Sequence, residues 1–120
     1  MNRERDAHDE LPAVLPAASG RRLSNQIGRA FRGTFGAMTG LRILMRSVAA
    51  EMLAAGASEE CIAKALEACV LNHPARTGRD SSSLMSGQSR SAAFVALANE
   101  CIAAVAQARA AESAKSSPHV

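Results

Sequence analysis

The chain has 120 residues, 48% hydrophobic, with 14 Lys and Arg against 11 Asp and Glu and a net charge of +3. That length allows one domain, and three widely spaced cysteines, an odd number, argue against a disulfide framework. The charge is small in total but uneven: no Asp or Glu occurs from Leu11 to Ala50, where six arginines do.

The hydrophobic fraction overstates the core. Twenty-six residues are alanine, which bury little area each, and the chain has no Trp, no Tyr and three Phe. Helices must approach closely over small side chains, and a thin core in a short chain is marginal. A protein partner or a homo-oligomer is therefore expected. Twelve of the fourteen basic residues are arginine, which with the alanine excess suggests a GC-rich bacterial gene.

Met1–Gly20 mixes charges and then holds Pro12, Pro16 and Gly20, so it reads as a disordered tail. It offers no apolar signal-peptide core, and no run reaches the roughly 18 apolar residues of a membrane span. The expected location is cytoplasmic, with no transmembrane segment. In 21–40 Leu23, Ile27, Phe31 and Met38 trace a helical stripe with arginines mostly off it. Gly28, Gly33, Gly36 and Gly40 each cost about 1 kcal/mol against alanine in a helix interior. The expectation is a basic, glycine-rich arm with a weak helix of one to three turns.

Residues 41–112 are the expected helical domain. Leu41, Leu44, Met45, Val48, Met52 and Ala55 share one helix face. Gly56 follows as a left-handed C-cap. Ser58 is the next N-cap, with Glu59 and Glu60 in the first turn at the positive end of the dipole. Ile62, Ala65, Leu66, Cys69, Val70 and His73 form the second stripe, which Pro74 ends. The spacing predicts an antiparallel hairpin, Leu41–Ala55 and Glu59–Asn72. A Ser-rich loop covers 75–90. A third helix, Ala92–Ala111, carries Phe94, Leu97, Ala98, Cys101, Ile102, Val105 and Ala108, with Ser91 as its cap. Residues 113–120 read as a second tail. No segment alternates as a half-buried strand would, so the fold class is all-α.

Each motif meets a plainer reading. Gly28 to Gly33-Thr34 has Walker-like glycine spacing but lacks the lysine and a preceding strand. Cys61, Cys69, His73 and Cys101 could gather as soft ligands, yet the three cysteines fall in apolar stripes and no CxxC pair exists. No metal and no cofactor is expected. Ala54, Gly56, Ser58, Ile62, Ala63 and Leu66 resemble the first two-thirds of a helix-turn-helix of the response-regulator type. Glu67–Val70 then continues the stripe where a turn should come, so an ordinary capped hairpin is the reading. The serines of 81–89 lie between Arg79 and Arg90, with Ser91 just beyond, and read as a polar loop. Nothing pairs a nucleophile, base and orienter, so no catalytic residue is named and the protein is not expected to be an enzyme.

The expected function is a small non-catalytic helical module that works through an apolar helix face. Ile43, Leu53, Leu71 and Val95 stand off the core stripes and are the candidate partner face. The alternative is a nucleic-acid-associated protein that contacts phosphates through Arg21, Arg22, Arg29 and Arg32, with Phe31 and Phe35 interleaved.

Overall fold

The computed structural model describes residues 15–76 and 87–116. Over them the protein is all-α, with four helices: α1 (Ala17–Phe31), α2 (Ala37–Ala54), α3 (Glu59–Leu71) and α4 (Gly87–Ser116). A single 3-10 turn, Pro74–Arg76, follows α3, and no strand occurs among the described residues.

Local chemistry places the helix ends. Gly33, at φ 74°, closes α1: its N–H bonds Ala30 O and the Thr34 N–H bonds Arg29 O, both at 3.0–3.1 Å. Those two bonds make a Schellman motif. The same pair ends α2, where Gly56 has φ 100° and its N–H bonds Leu53 O while Ala57 N–H bonds Met52 O. Ser58 then caps α3 by accepting from the Cys61 N–H at 3.1 Å. Gly33→Ala is expected to cost about 1–2 kcal/mol from left-handed strain alone. A Cβ there would meet nothing nearer than Arg90 Nη1 at 3.9 Å. A urea midpoint that does not move would contradict this.

Each helix buries one stripe. α1 contributes Leu23, Ile27 and Phe31, all 0% exposed. α2 gives Leu41, Met45, Val48 and Met52; α3 gives Ile62, Leu66 and Val70; α4 gives Phe94, Leu97, Ala98, Cys101 and Ile102. Near its start α1 meets the end of α2, through Ser19 Oγ donating to Glu51 Oε1 at 3.1 Å. Near its end it meets the start of α2, through Gln26 Nε2 donating to Ala37 O at 3.1 Å. These two helices are thus antiparallel. The hairpin arms α2 and α3 touch each other far less than each touches α4, which is their common partner.

Several boundaries differ from the sequence expectation, among them the start of α2, at Ala37 rather than Leu41. The weak helix expected in 21–40 is part of a 15-residue helix, Ala17–Phe31, that is built into the core. Burying a Leu, Ile or Phe stabilises by about 1.5–3 kcal/mol each, which outweighs the cost of Gly28, the one of those four glycines inside α1. That helix starts at Ala17, inside the stretch read as a tail; residues 1–14 lie outside the described ones. Ser91 is no cap: it lies inside α4, buried, and accepts from Arg76 Nε at 3.0 Å. α4 itself runs from Gly87 to Ser116, longer at both ends than its apolar stripe. Most of the expected serine loop, 77–86, and residues 117–120 lie outside the described ones.

Candidate functional site

At 100° per residue, Arg21, Arg22, Asn25 and Arg29 on α1, with Arg32 at its C-cap, fall within an arc of about 100°, opposite Leu23, Ile27 and Phe31. All four arginines are exposed, and none meets a carboxylate among the described residues. From Arg21 to Arg32 the stripe is about 16 Å long. The other arginines with described contacts turn inward or pair. Arg90 donates to Phe31 O and Arg76 to Ser91. Arg42 pairs with Glu100 at 3.5 Å, with both side chains half exposed, so that bridge adds little stability.

His73 fixes the end of α3 against this helix. Its Nδ1 accepts from the Ala75 N–H at 3.0 Å, so Nε2 carries the proton and donates to Ser24 O at 2.8 Å. The ring lies 6.0 Å from that of Phe31, which packs edge-on to Phe94 at 4.8 Å. Gly28 makes room: a Cβ there would stand 3.2 Å from His73 Cε1 and 3.3 Å from Arg32 Nη1. Arg29, Arg32, Asn25 and His73 line an open polar cleft of about 510 Å³ over this point.

The soft side chains do not gather. Both His73 nitrogens are engaged by backbone, and no three His, Cys, Asp or Glu come together among the described residues. Cys101 is 1% exposed and its Sγ lies 3.7 Å from Arg42 O. Burial pushes its thiol above the ordinary 9.0, against the pull of Arg42 and Arg46, and burial raises Cys69 as well. A raised folded-state pKa means the neutral thiol contributes stability that is full below about pH 9 and lost as pH climbs through the folded value. Without tyrosine, few other groups titrate there. Cys101→Ser is expected to flatten the alkaline fall of the urea midpoint; an unchanged fall would refute the assignment.

The four residues of the expected partner face differ in exposure. Leu53 and Val95 pack against the core, while Ile43 is 63% and Leu71 38% exposed. The two phenylalanines of the basic tract also separate. Phe31 is wholly buried and Phe35 is 99% exposed. Sequence reasoning grouped them, though Phe35 sits between Gly33 and Gly36, both at positive φ, and so leaves the helical period. α3 continues unbroken through Leu71, without the turn of a helix-turn-helix. Over Arg90–Ala114, α4 is long and apolar enough by length and composition to cross a membrane, with mean hydropathy 1.4 and 33% of the window buried. Its large apolar side chains Phe94, Leu97 and Ile102 are those that fill the core. Comparison with protein-family models, with curated proteins and with solved structures finds no match.

Proposed function

We propose that this is a non-catalytic helical module that binds nucleic acid through the phosphate backbone, using the arginine face of α1. One observation carries the reading: four exposed arginines share one side of a helix whose other side is locked into the core, and none meets a described carboxylate. A row of arginines on a folded helix has already lost the backbone freedom that a disordered arm would give up on binding. Arginine also offers a planar fork that matches phosphate oxygens. Anisotropy of labelled oligonucleotides across a NaCl series tests it. Binding should weaken steeply with salt, because each neutralised phosphate releases counterions.

A second reading rests on Ile43, 63% exposed on α2. A protein partner or a second copy seated there would give a contact that survives added salt, since apolar burial is not screened. Ile43→Glu would then shift the mass seen by light scattering and leave oligonucleotide binding intact.

A further inference from the structure

Phe35 is the least expected side chain on the surface. The protein buries its other two phenylalanines, at 0% and 3% exposure, yet leaves this one at 99%. The turn that holds it is short and hydrogen-bonded. Gly33 N–H and Thr34 N–H bond back into α1, and Ala37 N–H bonds Thr34 O at 3.0 Å. Phe35 therefore stands on a fixed platform just past the C-terminal end of the arginine stripe, three residues after Arg32.

Its surroundings are cationic as well as apolar. No Asp or Glu occurs from Leu11 to Ala50. α2 begins two residues after Phe35 with no side-chain cap and no acidic residue in its first turn, so its positive dipole end is left uncompensated there. Beside the turn, Ala30, Gly33, Met38, Ala93 and Phe94 line an apolar hollow of about 290 Å³ that Arg90 flanks. This charge repels a second copy of the same face and favours an anionic occupant. The flat aromatic face favours one that is anionic along its backbone and planar in its side groups.

We infer that the nucleic acid held by α1 is single-stranded, with one base stacked on Phe35 while neighbouring phosphates meet Arg29 and Arg32. The inference rests on the polyanion reading above. A duplex shows only base edges in its grooves, whereas an unpaired base offers a free face to an aromatic ring beside a cationic track.

The test uses the full-length protein and a labelled oligothymidylate long enough to span α1. Phe35→Ala is expected to weaken binding about 5- to 150-fold, the range for loss of one stacked base. Phe35→Leu, apolar but not flat, should lose a similar factor. Phe35→Trp should bind at least as well as the wild type, and its indole, alone in the chain, should be quenched by the oligonucleotide. All three variants should melt as the wild type does, because the position is exposed. If Phe35→Ala or Phe35→Leu binds at full strength while arginine replacement abolishes binding, the polyanion reading stands and the stacking inference fails. Equal affinity for a duplex of the same length also overturns the inference alone. Should the wild type ignore both oligonucleotides yet bind phosphatidylserine vesicles, with Phe35→Leu as competent as Phe35, both fall. Binding to none of the three probes sinks both as well.

Discussion

Phe31→Ala is expected to destabilise the protein by about 3–5 kcal/mol, the range for emptying a well-packed aromatic site. Phe31 is wholly buried, packs edge-on to Phe94 and faces the His73 ring. Its removal leaves a hole where α1, the end of α3 and the start of α4 meet. Small domains have only about 5–15 kcal/mol in total, so the melting temperature should fall by more than about 10 °C. Phe35→Ala, four residues on and exposed, should change it by less than about 0.5 kcal/mol. Equal melting temperatures for the two variants would mean that α1 is a loose arm after all. For the same reason, deleting residues 1–40 is expected to unfold the protein, so the arginine face must be tested by point substitution.

Replacing Arg21, Arg22, Arg29 and Arg32 together with Gln should abolish the salt-dependent part of oligonucleotide binding. Each phosphate neutralised contributes a slope of about −0.7 on single strands and −0.9 on duplex in log affinity against log salt. Four contacts give a slope of about −2.8 to −3.6, so a fourfold rise in salt should weaken the wild type about 50- to 150-fold. The quadruple variant should bind weakly and almost independently of salt. It should keep its helix content, because all four side chains point to solvent and glutamine is a good helix former. Lys64→Gln, on α3, is the control and should change nothing. Binding that survives the quadruple change and vanishes with Lys64→Gln would move the site to the hairpin.

The hairpin was legible from its residues because its signals are local. Gly56 needs only its own positive φ, Ser58 only a nearby N–H, and the stripes of Leu41–Met52 and Ile62–Val70 only the helical period. The same logic applied to Gly33, which ends α1 as Gly56 ends α2. Counting it as a cost inside a helix hid the fact that it closes one. Likewise Ser91 looks like a cap in isolation. Its hydroxyl is instead taken up by Arg76, which reaches it from the turn after α3.

The candidate site was half legible. Arg21, Arg22, Arg29 and Arg32 stand out by composition and share a face by spacing alone. What no spacing reveals is whether the opposite face is anchored. That depends on α2 and α4 lying within reach of Leu23, Ile27 and Phe31, and on Gly28 letting His73 close on Ser24 O. The sequence by itself determined the all-α class, the capped hairpin and the arginine-rich face, because each follows from backbone conformation or helical period within a few residues. Only the tertiary structure decided that α1 belongs to the core, that α4 rather than α3 is the main partner of α2, and that Phe31 is buried while Phe35 is not. Burial depends on contacts between residues far apart in the chain: the helical period groups Phe31 with Leu23 and Ile27 and leaves Phe35 out, but only packing against α2 and α4 covers that stripe.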